Sequence, residues 1–166
     1  MDVVEALKLR KSVRLYKDEL ISRENLEKIV DSARLAPSAR GVWPWEFIVV
    51  TDKVILCKFS EIMENARFLA QAAACIVVFC SDTKYYLEDG CAATENILIC
   101  AASLGIGSCW IAGDKKPYAK DVAKILSVPG DLKLVSIVSL GYAEKDDTAD
   151  QRKRRGLSEV IHWNKF

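Results

Sequence analysis

The sequence predicts an α+β domain of three layers, a mixed central sheet flanked by helices, and three observations lead there. Two near-continuous apolar runs, Glu46–Thr51 and Ala74–Cys80, read as buried strands, the first of them central, and Lys133–Leu140 adds a third, built on Leu134, Val135, Ile137, Val138 and Leu140. A long stretch from Asp89 to Leu104 reads as a helix that is apolar or small around most of its circumference, with polar groups only at Thr94, Glu95, Asn96 and Ser103. Strands and helices do not alternate in strict βαβ units, and the turn Gly105-Ile106-Gly107 follows a helix and precedes a strand. A dinucleotide fingerprint needs the opposite order, so a Rossmann fold is disfavoured.

That central helix organises the rest. Asp89 is a candidate N-cap, and Gly105 and Gly107 end the helix. Ser108–Ala112 then forms a short buried strand. The small residues Ala92, Ala93, Ala101 and Ala102 permit close helix packing, which places this helix at or near an interface between two copies of the chain.

Composition narrows the function classes. At 166 residues and 18.5 kDa, residues 1–166 make one domain with enough chain for a core, and 51% hydrophobic with 28% charged residues is ordinary soluble-globular composition. A net charge of +1 supplies no bulk attraction for nucleic acid or a membrane surface, so any anion site has to be local. No apolar run approaches transmembrane length and the N-terminus lacks a signal-peptide pattern, so the expectation is a cytoplasmic protein. The six cysteines, at 57, 75, 80, 91, 100 and 109, include no C-x-x-C pair and read as reduced, mostly buried thiols. With one histidine, His162, neither a metal site nor a Ser-His-Asp or Cys-His hydrolase has its parts.

Along the chain, Asp2 caps a short helix carrying Val3, Val4, Ala6, Leu7 and Leu9, which runs into Arg10-Lys11-Ser12-Val13-Arg14. That cluster suits either a solvated helix C-terminus or a phosphate. Ser22 caps a helix with Leu26, Ile29, Val30 and Ala33 on one face, stopped at Ala36-Pro37. The loop Pro37–Trp45 holds two prolines and two tryptophans, either a lid over the core or a wall for a planar ligand. A weakly helical region covers 54–72, and a further helix is expected from Pro117, at its first position, to Leu126. After Gly141 the chain turns polar through the second cationic cluster, Arg152-Lys153-Arg154-Arg155. It becomes apolar again at Leu157–Trp163, so the tail has to dock, on its own chain or on a partner.

Four pieces, R-K-S-V-R, A-P-S-A-R-G-V-W-P-W-E-F-I-V-V, L-G-I-G-S-C-W-I-A-G and R-K-R-R-G-L-S-E-V-I-H-W, stand in an order and spacing that resembles the nitroreductase family of FMN-dependent oxidoreductases. The resemblance covers essentially the whole chain. It implies a nitroreductase-type fold and an intertwined homodimer with two shared FMN sites. It further implies hydride transfer from NAD(P)H through flavin N5 to nitroaromatics, quinones or similar small acceptors by a ping-pong mechanism. By resemblance, Arg10, Lys11 and Ser12 hold the FMN phosphate and ribityl chain, and Arg14 faces the O2 and N1 edge of the ring. Pro37, Ser38 and Ala39 come from the partner subunit, Trp110, Ile111, Ala112 and Gly113 run past the isoalloxazine, and Arg152 and Arg154 close on the phosphate. No side chain is required as acid, base or nucleophile. Gly41 and Trp43 depart from the usual Asn and Gln of the family motif. They keep open a flavin-binding or redox-sensing protein with little turnover, or a specialised branch acting on one substrate. The short chain implies an open pocket and broad acceptor use.

Overall fold

The computed structural model describes residues 1–145 and 154–166. Four strands, β1 (Trp45–Val50), β2 (Ala74–Ser81), β3 (Gly107–Ala112) and β4 (Leu132–Gly141), form one sheet in the order β1-β2-β4-β3. Helices α1 (Val3–Leu9), α2 (Arg23–Arg34), α3 (Lys53–Ile62), α4 (Tyr86–Ser103) and α5 (Ala119–Ile125) surround it.

The two faces follow from strand alternation. Ile76, Val78 and Val138 meet Leu26 and Ile29 of α2 and Ile97 and Ala101 of α4 on one side. Val77, Phe79 and Ile137 meet Leu56 and Phe59 of α3, Leu69 and Val122 on the other. The three-layer α+β expectation therefore holds.

The mixed sheet is corrected. All three strand pairings are antiparallel, and the only parallel pairing among the described residues is the isolated bridge between Ser12 and Ser108. The connections explain it: the chain leaves β1 at Val50, passes through α3, and re-enters β2 beside that same end, where Val50 pairs with Cys75. The central placement of the first strand is corrected too, because β1 is an edge strand with Val49 exposed. A continuous apolar run reports what covers the faces of a strand, not whether both its edges are paired.

The capping signals hold at two of the four expected helix starts. Asp2 accepts the Glu5 N–H at 2.9 Å and Ser22 accepts the Asn25 N–H at 3.2 Å. The 54–72 region divides into α3 and a 3-10 helix over Glu64–Gln71. Helix α5 begins at Ala119, two residues beyond Pro117, after a turn in which the Ala119 N–H bonds the Lys116 C=O at 3.0 Å. Helix α4 begins at Tyr86, three residues before the expected cap, so Asp89 lies inside its first turns with its side chain free for another use. All six cysteines are unbridged, with Cys75, Cys80 and Cys109 buried and Cys57 exposed.

Two apolar surfaces have no cover among the described residues. Val3, Val4, Leu7 and Leu9 of α1 are exposed, and so are Leu157, Val160, Ile161 and Trp163 of the tail. Among the described residues, the apolar part of the tail that was expected to dock stays exposed.

Candidate functional site

The first cationic cluster forms a strap across the end of the sheet. Arg10 closes α1, its N–H bonding the Ala6 C=O at 2.9 Å, and the Val13 N–H bonds the Ser108 C=O at 2.9 Å. Tyr16 anchors the far end: its buried hydroxyl donates to the Val13 C=O at 2.7 Å, and Ser139 Oγ lies 2.7 Å away. Backbone bonds from Lys17 N–H to Tyr142 C=O (2.8 Å) and from Glu144 N–H to Leu15 C=O (3.0 Å) tie the strap to the exit of β4.

Gly107 permits this close approach, since a Cβ there would meet Val13 Cγ2 at 2.9 Å. Outside the strap, Arg10 is half-buried and Lys11 and Arg14 are exposed. The Arg14 guanidinium lies 5.9 Å over the Phe68 ring. Neither Arg10 nor Arg14 has an acidic partner among the described residues. A cavity of about 210 Å³, lined by Leu9, Arg10, Lys11, Gly105 and Ser108, lies beside the strap, and its two cations suit it to an anion.

The strap continues into β3. The bond from Val13 N–H to Ser108 C=O turns the backbone of Ser108 away from β4. Strand alternation then turns Trp110 and Ala112 the same way, presenting N–H groups at the open edge of the sheet. Gly113 folds back, its N–H bonding the Val135 C=O at 3.0 Å, and a Cβ there would meet Leu134 Cγ at 2.6 Å. Beyond it, the Tyr86 hydroxyl donates to Asp114 at 2.6 Å, which with burial pushes the phenol up to about 12.

Pro37, Ser38 and Ala39 lie elsewhere. Asp89, 4% exposed, accepts from the Ser38 hydroxyl and the Ala39 N–H, both at 2.9 Å, and Ser38 Oγ accepts the Trp43 N–H at 2.9 Å. Within this loop Arg40, Gly41 and Trp43 take φ values of 59°, 63° and 47°. Two non-glycine residues in the left-handed region are held there by these contacts.

The loop is therefore fastened near the start of α4, and the strap beside the turn that follows its end. Helix α4 has 18 residues and is about 27 Å long, so one chain does not bring Pro37–Ala39 to Arg10–Arg14. It does bring Arg10–Ser12 to the start of the strand that carries Trp110–Gly113. Arg152 lies outside the described residues. Arg154 is exposed, and no contact joins it to the strap among them. Sequence reasoning missed Tyr16, Phe68 and Asp89 as site-shaping residues. An acidic residue followed by Gly-Cys-Ala-Ala, on a helix with no charged face, was the one available signal for Asp89. A cavity of about 860 Å³ between α2 and β1 is lined by none of these residues.

Comparison with known proteins adds the decisive observation. The profile of the Nitroreductase family matches residues 7–74, and a second profile, provisionally described as a TM nitroreductase, matches residues 57–166. A protein of Archaeoglobus fulgidus, provisionally named NADH dehydrogenase/NAD(P)H nitroreductase, is 39% identical across 98% of this chain and 99% of its own. The chain belongs to the nitroreductase family. Among solved structures of the family, an FMN-dependent nitroreductase from Clostridium difficile is 34% identical with a TM-score of 0.87, covering 98% of this chain and 99% of that one. A nitroreductase with bound FMN from Bacteroides fragilis is 25% identical with a TM-score of 0.82, covering 99% and 100%. The family assignment spans both the strap and the loop, although the two lie at opposite ends of α4.

Proposed function

We propose that this chain is an FMN-dependent NAD(P)H oxidoreductase that works as a homodimer, each FMN site drawing on both copies. The observation that carries the reading is the strap: Arg10, Ser12 and Arg14 held by backbone bonds against the open edge of β3, with no acidic partner for either arginine among the described residues. The described residues fit the cofactor. Arg10, Lys11 and Ser12 would hold the phosphate and ribityl chain, joined by Arg152 and Arg154 of the tail. Arg14 would face the ring edge where reduction leaves negative charge, and the outward N–H groups of Trp110 and Ala112 would meet ring acceptors. When bound, FMN would supply the two-electron chemistry, taking hydride from NAD(P)H and giving it to a nitroaromatic, quinone or similar small acceptor in alternating half-reactions.

The protein's own work is to bind and orient. Cations beside the ring would favour its reduced state electrostatically, and β3 would hold it at the open sheet edge. Nothing in the cluster acts as acid or base. The dimer reading rests on the exposed apolar residues of α1 and the tail, and on the length of α4 between strap and loop. No helix among the described residues is long and apolar enough to cross a membrane, and the unbridged cysteines favour a reducing compartment such as the cytoplasm.

A second reading, a flavin-binding protein with little turnover, is favoured by Trp43, whose backbone N–H bonds Ser38 Oγ and whose exposed side chain would be placed to cover the ring. One experiment separates the two: the visible spectrum of the undialysed protein, then NADH and NADPH added without oxygen. A yellow protein that bleaches supports turnover, and one that stays yellow supports the second reading. A colourless protein that takes up no added FMN refutes both.

A further inference from the structure

Asp89 is the only charged side chain among the described residues that is buried, and it is not the cap of α4. Its two carboxylate oxygens are divided between the Ser38 hydroxyl and the Ala39 N–H. A hydroxyl has one hydrogen and two lone pairs. A carboxylate only accepts, so the Ser38 hydrogen is committed to Asp89, and one lone pair of Ser38 Oγ takes the Trp43 N–H. What Ser38 retains for a ligand is a single acceptor.

The same contacts hold Arg40 and Trp43 at positive φ, a conformation that persists only where surrounding structure fixes it. Together these observations give Asp89 a role beyond packing. We infer that Asp89 is the positioning residue of the 38–43 loop: it fixes the backbone of that loop and makes Ser38 acceptor-only, so that the loop matches an N–H or O–H group of the cofactor in the neighbouring subunit. The inference rests on the FMN reading above and adds to it a residue that the family resemblance did not assign.

Asp89→Asn is the discriminating change. It keeps the volume, but one oxygen becomes an NH2 that donates. If the remaining oxygen serves Ala39 N–H, the amide faces Ser38 Oγ and drives its hydrogen away, reversing the polarity that Ser38 presents. Ser38→Ala deletes the hydroxyl while leaving Asp89 its bond to Ala39.

The test uses full-length protein, with FMN titrated into parent, Asp89→Asn, Ser38→Ala and the double variant. It reads the FMN Kd, the visible circular dichroism of the flavin at saturation, and the Tm of the FMN-free protein. Each single variant is expected to weaken FMN binding about tenfold, the scale of one lost hydrogen bond to a charged or fixed partner. Each is also expected to alter the flavin band, and the double variant to add little, because both changes break one unit. If both single variants bind FMN with the parent's Kd and spectrum, whatever their Tm, Asp89 is a structural residue only and the inference is overturned. Should Asp89→Asn fail to fold, Ser38→Ala decides by the same two readings. A parent that binds no FMN is distinguishable from all of these and overturns the functional reading itself, and the inference with it.

Discussion

Gly107→Ala tests how the strap is held. An ideal Cβ at 107 would stand 2.9 Å from Val13 Cγ2 and 3.0 Å from both Val13 Cβ and Cγ1. One of these atoms is the branch point itself, so rotating Val13 about χ1 cannot clear all three contacts. Val13 is also 2% exposed, which leaves its side chain nowhere to go. Relief then requires the strap to lift from β3, stretching the bond from Val13 N–H to Ser108 C=O. Overpacking of this kind costs about 1–3 kcal/mol. For a domain of this size, about 2 kcal/mol corresponds to a fall in Tm of about 4–8 °C.

Thermal or urea unfolding of the FMN-free protein measures the loss, and Val13→Ala, which removes the two γ-carbons, supplies the control. In the Val13→Ala background the added methyl at 107 keeps only the 3.0 Å contact to Cβ and should cost well under half as much. Equal costs in the two backgrounds would refute the close-approach argument. Because Arg10–Ser12 move with Val13, Gly107→Ala should weaken FMN binding as well as stability.

Three further outcomes are expected. Arg10→Ala and Arg154→Ala should each leave a folded dimer that binds FMN about ten to a hundred times more weakly, from the loss of a charge-assisted contact of about 1.5–3 kcal/mol. Equilibrium dialysis showing parental affinity in both would remove the phosphate assignment. The Tyr86 phenol is raised in the folded state from an ordinary value near 10 to about 12, mainly by its bond to Asp114. Its neutral form is therefore the stabilised one: the contribution is full below pH 10 and is lost as pH rises through about 12. The stability difference between parent and Tyr86→Phe, followed by urea unfolding, should shrink across that window, and a difference that grows would contradict the assignment. Thiol labelling of the native protein should modify Cys57 first. Burial raises the thiol pKa values of Cys75 and Cys80, so both should react only after unfolding, and rapid native labelling of either would contradict the core described here.

The sequence by itself determined where most of the elements lie and which residues the strap carries. Period placed β2, β4 and the long α4, and period with capping placed α2, because these depend on residues close in the chain: Ser22 three residues before Asn25, or seven consecutive core positions in β2. The cationic clusters and the two glycines beside them were also legible, since the residue types needed for a phosphate and for close backbone approach are few.

Only the tertiary structure decided the rest. Whether β1 is central depends on what pairs with its second edge, and the strand itself carries no record of that. Asp89 looked like a cap because an acidic residue before an apolar run usually is one. Its actual partners, Ser38 and Ala39, stand 51 and 50 residues away and meet it only when the loop folds over α4. The separation of strap and loop by the length of α4 is likewise a property of packing. It is on that distance, which no local pattern encodes, that the proposal of a site shared between two copies rests.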